Sequence, residues 1–281
     1  MDKWLLDLLG ETYRTELSEI AMDGLCEVRI RTGQPLVLSF NGQEKLIWPR
    51  VSQQEIEDLL QIACRYSRYA YTDMVSKGFI PLSGGHRIGL CGSGILHNGH
   101  VKNMTEITSV AIRIARDVIG CANNVMPFVY KSTLFAGPPG SGKTTILRDS
   151  IRQLSDYRKE RIAVVDERGE IASCVKGVPQ LEIGLRTDVM SYIPKAEAML
   201  MLLRTMNPQW IAVDEITAPE DIEAMMRVSY CGVKMLATAH MTDESDLKRR
   251  PLYKKLLDAG IFSMIVLLDG NHQFCIKEVS P

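Results

Sequence analysis

The segment that most constrains this chain is residues 137–144, GPPGSGKT. It follows a short apolar run, TLFA at 133–136, and precedes a helical pattern, TTILRDSIRQL. A glycine-rich turn between a strand and a helix gathers backbone N–H groups around phosphate oxygens, and the helix N-terminus adds partial positive charge. Gly137, Gly140 and Gly142 supply the backbone freedom, with Pro138, Pro139 and Ser141 between them. Lys143 is expected to neutralise β- and γ-phosphates, Thr144 to place its hydroxyl on Mg²⁺, and Thr145 to line the opening of the helix. The expected ligand is ATP with Mg²⁺.

The loop sits in a distinctive pattern. Apolar runs recur at 133–136 (TLFA), 161–165 (RIAVV), 210–213 (WIAV), 234–238 (KMLAT) and 264–268 (MIVLL), with helical segments between them. They do not alternate apolar with polar. Continuous apolar strands are what a parallel sheet covered on both faces requires, so this half is read as α/β. One of the helices is expected to begin at Thr217-Ala218-Pro219-Glu220, a capping-box pattern, and to end near Gly232.

In such a sheet ligands sit beyond the strands' C-terminal ends, so the residues that follow each run carry the expected chemistry. WIAV ends in Asp214-Glu215. Asp214 suits a Mg²⁺ shell, and Glu215 suits activation of an attacking water. RIAVV leads into Asp166, Glu167 and Glu170, read as metal- or water-positioning carboxylates. KMLAT leads to His240, placed to sense a γ-phosphate.

The first 120 residues read differently. Trp4, Leu5, Leu8 and Leu9, then Leu17, Ile20 and Ala21, recur at helical spacing and predict two short amphipathic helices. CEVRIRTG and PLVLSFNGQEKLIW predict strands, with Asn41-Gly42 as a hairpin turn. Ser52 and Glu55 predict a capping box before a helix lined by Ile56, Leu59, Leu60 and Ala63. Residues 84–95 and 107–116 read as further strands. The expected organisation is a smaller N-terminal α+β domain over 1–120 and an α/β P-loop domain over 121–281, with the boundary near Cys121–Met126.

Composition excludes some classes. Lys plus Arg is 33 and Asp plus Glu 34, so no global basic surface exists for duplex nucleic acid, and no specific nucleic-acid partner is expected. The seven cysteines form no Cys-x-x-Cys pair, which argues against a zinc knuckle, and their odd count suggests reduced thiols in a cytosol. No apolar run approaches the roughly 20 residues that span a bilayer, so work at a membrane would need a partner to hold the chain there.

These segments, in this order, resemble the secretion ATPase superfamily, the RecA-like motors of type II and type IV secretion and of type IV pili. That family's phosphate loop, acidic box, Walker B segment and histidine box map onto residues 137–144, 164–171, 210–215 and 236–240. GLRTDV, the stretch from PKAEAMLMLLRT to WIAVDEIT, EVRIRTGQPL and GGHRIGLCGSG resemble a sporulation branch found in endospore formers. Two positions depart from the secretion motors: Asp214 stands where they usually carry Gly, and Asp166-Glu167 where they usually carry Glu-Asp.

The resemblance implies a RecA-like P-loop ATPase domain. It implies a homo-oligomer, a hexameric ring with nucleotide between protomers, in which domain closure turns hydrolysis into motion. Arginines would then reach the phosphates: Arg204 as a catalytic group, Arg113 at the nucleotide, and Arg186, Arg116, Arg29, Arg31 and Arg87 as further candidates. It also implies a membrane-anchored sporulation channel protein as partner, on the mother-cell side of the membrane. The alternatives are a nucleic-acid motor and an ATP-gated scaffold with little hydrolysis.

Overall fold

The computed structural model describes residues 3–20, 23–40, 42–64, 72–241, 245–271 and 273–279. The chain divides into two compact units, Met1–Arg116 and Asp117–Pro281.

The first unit is built on a six-stranded antiparallel sheet. Its strands are β1 (Leu25–Arg31), β2 (Pro35–Phe40), β3 (Gln43–Arg50), β4 (Phe79–Pro81), β5 (Arg87–His97) and β6 (His100–Arg113), in the order β3-β2-β1-β6-β5-β4. Three α-helices belong to it: α1 (Lys3–Leu9), α2 (Arg14–Ser18) and α3 (Gln53–Ala63). A fourth, α4, spans Thr72–Ser76. Alternate strand residues Val28, Ile30, Leu36, Leu38, Ile88, Val110 and Ile112 pack with Leu5, Leu8, Leu17, Ile56 and Leu59 in one core. The Ser52 hydroxyl accepts the Glu55 N–H at 3.2 Å, and the Glu55 carboxylate accepts the Ser52 N–H at 2.7 Å, so the expected capping box opens α3.

Three local expectations need correction here. The second helix stops at Ser18, and Ile20 lies beyond it, because the Ile20 N–H turns back to the Leu17 carbonyl; Ala21 lies outside the described residues. The strand expected at 84–95 starts only at Arg87, since Gly84 and Gly85 adopt φ of 77° and 81°. It also runs on to His97, where Asn98 (φ 51°) and Gly99 (φ 79°) turn the chain into β6. Gly42 has φ 92° at the other hairpin; its partner Asn41 lies outside the described residues.

The second unit carries a seven-stranded sheet. In chain order its elements are β7 (Thr133–Gly137), α5 (Lys143–Asp156), β8 (Ile162–Asp166), β9 (Thr187–Ser191) and α6 (Lys195–Thr205). These are followed by β10 (Trp210–Val213), α7 (Pro219–Tyr230), β11 (Lys234–His240), α8 (Ser245–Arg249), α9 (Pro251–Asp258), β12 (Met264–Leu268) and β13 (Phe274–Glu278). The strand order is β13-β12-β7-β11-β10-β8-β9, parallel throughout except for β13.

Both faces of this sheet are covered, which explains the unbroken apolar runs. Phe135, Val164, Ala212, Leu236 and Val266 face Ile146, Leu147, Ile151 and Leu154 of α5. Their neighbours Leu134, Ala136, Ala163, Val165, Ile211, Val213 and Ala237 face Met199, Leu202, Ile222, Met225 and Leu256 of α6, α7 and α9. At α7 the expected cap is shifted by one residue: Ala218, not Thr217, is the N-cap. The Asp221 carboxylate accepts both the Thr217 and the Ala218 N–H at 3.1 Å, so the helix is closed by its third residue.

Candidate nucleotide site

Strand register brings the chemistry to one edge. His240 is paired with Gly137 across β11 and β7. Val213 is paired with Ala237 and with Val165, so Asp214 comes to lie between Thr238 and Asp166. Because β11 separates β7 from β10, the phosphate loop and the Asp214-Glu215 pair are bridged by a strand carrying Thr238 and His240.

The loop has the geometry of a phosphate cradle. Gly140 and Gly142 adopt φ of 73° and 87°, which exposes backbone N–H groups that a side-chain-bearing residue would turn away. Gly137 is fixed by packing instead: a Cβ there would sit 2.5 Å from the Leu268 carbonyl oxygen. α5 begins at Lys143, so its N-terminus points into the cradle. The Lys143 ammonium donates to the loop's own Pro138 carbonyl at 2.7 Å. Burial lowers the Lys143 pKa, and the charges of Asp214 and Glu215 oppose that shift.

Across the cradle, the Thr144 hydroxyl lies 3.2 and 3.4 Å from the two Asp214 oxygens. Desolvation raises the Asp214 pKa and the Asp166 charge adds to this, against hydrogen bonds from Thr238 and Thr144. Two hard oxygens, one a desolvated carboxylate, fit Mg²⁺ in donor chemistry. Among the described residues no group of three or more His, Cys, Asp or Glu could hold a metal ion.

Glu215 stands one residue on. Its N–H donates to the Thr238 hydroxyl at 2.8 Å and to Asp214 at 3.0 Å, and its φ is +38°, an uncommon value for a residue with a side chain. Its carboxylate meets the Arg168 guanidinium at 2.5 Å.

At the end of β8, two of the acidic residues, Asp166 and Glu167, are engaged by the protein itself. Asp166 is buried, and its two oxygens accept the N–H groups of Glu170, Ile171, Ala172 and Ser173 at 2.7 to 3.2 Å. This carboxylate is committed to shaping the turn. Glu167 is paired with the buried Lys195 at 2.5 Å. Arg148 of α5 donates to the carbonyls of Glu170 and Ile171 at 2.7 and 2.6 Å, tying the turn to the phosphate-loop helix.

The arginines separate. Arg204 lies in the last turn of α6, just before β10 begins, while Asp214 follows the end of β10. It is therefore at the opposite edge of the sheet from its own phosphate loop, about 13 Å or more away at roughly 3.3 Å per strand residue. Arg186 is at that far edge too, donating to the Ser155 carbonyl at 3.2 Å. Arg113, Arg29, Arg31, Arg87 and Arg116 belong to the first unit. There Arg113 lies 3.9 Å from Glu27, Arg29 pairs with Glu27 at 2.7 Å, Arg87 stacks over Phe79, and Arg116 donates to the Leu25 carbonyl.

Sequence reasoning missed Thr238 and Arg168. A hydroxyl within the apolar run KMLAT was the available signal for the first. For Arg168 there was none, since its partner is 47 residues away.

Comparison with known proteins accords with this geometry. The family model described as "Sporulation stage III, protein AA" matches residues 3–276. The chain is 38% identical over 269 residues to the stage III sporulation protein AA of Bacillus subtilis, covering 92% of this chain and 88% of that one. Among solved structures, the ATPase DotB of Legionella pneumophila superposes with a TM-score of 0.58 at 18% identity, covering 90% of this chain and 75% of that one. The pilus retraction motor PilT with bound ADP gives a TM-score of 0.58 at 16% identity, covering 90% and 76%. At these identities the two structures establish a shared fold, the RecA-like P-loop architecture.

Proposed function

The chain belongs to the sporulation stage III protein AA family, and from that premise we propose that it is an ATP hydrolase, a motor energising a secretion-like channel during endospore formation. The observation that carries this reading is the meeting of the Lys143 loop, the Thr144–Asp214 pair and Glu215 at one sheet edge.

On this reading Lys143 leaves the Pro138 carbonyl for the β- and γ-phosphates, and the N–H groups of residues 140–145 hold the remaining phosphate oxygens. Thr144 and Asp214 hold Mg²⁺, which when bound offsets charge building on the phosphate oxygens. Glu215 orients a water in line with the γ-phosphate and accepts its proton. ADP and phosphate are the products. His240, at the end of β11, and Glu170, in the turn after β8, flank the γ-phosphate. Arg204, remote from its own loop, and Arg113 serve an adjacent protomer's nucleotide in a hexameric ring. Among the described residues no helix is long and apolar enough to cross a membrane, so a membrane-anchored channel protein is proposed as the partner that recruits the chain.

The test is steady-state ATP hydrolysis with and without Mg²⁺, together with mass measurement in a non-hydrolysable ATP analogue. Lys143→Ala should lose nucleotide binding, and Glu215→Gln should bind ATP yet lose on the order of 100-fold or more in turnover. Unchanged turnover in Glu215→Gln would remove the hydrolytic assignment. A monomer in the analogue, even with the channel partner present, would remove the ring.

A further inference from the structure

We propose that Arg168 is the terminal-phosphate-sensing residue of this chain's own site, holding Glu215 in reserve until a nucleoside triphosphate takes the guanidinium away. The inference rests on the ATPase reading above and adds a residue to it.

The pairing is direct, Arg168 Nη1 to Glu215 Oε2 at 2.5 Å. Both ends are anchored. The turn bearing Arg168 is clamped by the four N–H bonds to Asp166, and the Gly169 N–H donates to the Asp166 carbonyl. The Glu215 backbone is held by Thr238. Both backbones are fixed, so the movable parts are the two side chains, and these are 52% and 34% exposed.

Exposure decides how strong the pair can be. An ion pair open to solvent is worth about 0–1 kcal/mol, so it holds a geometry without locking it. A γ-phosphate beside Glu215 offers a guanidinium several anionic oxygens in fork geometry, a stronger acceptor than one carboxylate. ADP lacks that group. Exchange of Arg168 from carboxylate to γ-phosphate therefore accompanies triphosphate alone, and it frees Glu215 for water as it neutralises the phosphate being attacked.

The experiment is a double-mutant cycle on the full chain, reading ATP and ADP affinity by displacement of a fluorescent ADP in Mg²⁺, with turnover measured in parallel. Arg168→Gln should bind ADP within twofold of wild type and ATP about tenfold more weakly, with Arg168→Lys intermediate. Glu215→Gln releases the guanidinium and should tighten ATP several-fold, and Arg168→Gln in that background should abolish the gain. The proposal is overturned if Arg168→Gln leaves the ATP-to-ADP preference unchanged, including by weakening both equally. It is also overturned if the gain in Glu215→Gln persists without Arg168. The binding arm is independent of turnover, so a wild-type chain that binds but does not hydrolyse ATP would overturn the hydrolase reading while leaving the cycle informative.

Discussion

Thr238 donates its hydroxyl hydrogen to the Asp214 carboxylate, and the same oxygen accepts the Glu215 N–H. One side chain on β11 thus fixes the Asp214 carboxylate and the Glu215 backbone at the end of β10. Thr238→Val keeps the shape and removes both bonds. It should lower turnover by about 10-fold to 100-fold, at a stability cost of about 1–3 kcal/mol. Thr238→Ser should retain most activity. Steady-state hydrolysis and urea unfolding of the three proteins check this.

Asp166 holds four N–H groups with two oxygens. In Asp166→Asn an amide NH₂ would face two of those donors. We expect a loss of about 2–3 kcal/mol and a fall of roughly 5–10 °C in the melting of the second unit. Differential scanning calorimetry reads this directly. A variant of wild-type stability would show that the turn finds other acceptors.

The buried Asp149 accepts from Arg152 at 2.7 Å, from Gln153 at 2.9 Å and from the Ala122 N–H at 2.9 Å. Burial pushes its carboxyl pKa up, but these bonds outweigh it and hold the group below its ordinary value. A depressed carboxyl stabilises the fold above the unfolded value of about 3.9, and that contribution is lost as pH falls through the folded value. Asp149→Asn strands the Arg152 charge, so it should be less stable by about 3–5 kcal/mol at pH near 7. The gap should narrow below pH of about 4. Urea unfolding across that range tests the sign.

Arg204 lies at the far edge of its own sheet. Arg204→Ala should leave ATP affinity of dilute protein within about twofold, because the lost charge is screened at that distance. Its effect on turnover should appear only at protein concentrations where turnover per chain rises with concentration. Equal loss of activity at every concentration would place its action within one chain.

Much of this was readable beforehand because the governing signals are local. GPPGSGKT between strand and helix, five unbroken apolar runs and the Ser52–Glu55 cap each depend on neighbours in sequence. What escaped depends on distance or on mixed composition. The edge strands β9 (TDVMS) and β13 (FCIKE) carry too much polarity to read as core strands. Asn98-Gly99 is the same turn signal as Asn41-Gly42, but its flanking strands are exposed and lack an apolar alternation. The pairing of Arg168 with Glu215 exists only once β8 and β10 lie side by side, whereas the clamp of Asp166 needs the turn itself to close on four N–H groups that no apolar pattern announces. In space, Asp166 of the acidic cluster is a turn-shaping carboxylate and Glu167 an ion-paired one.

The +38° φ of Glu215 has a consequence for how the chain can vary. A glycine there would relieve left-handed strain worth on the order of 1 kcal/mol, so the most comfortable residue for this backbone is one with no carboxylate at all. Selection for fold stability alone would push the position toward glycine, and only the proposed chemistry opposes it. A lineage that ceased to need hydrolysis would be expected to drift there first, which makes residue 215 a sensitive marker of whether a relative still turns over nucleotide.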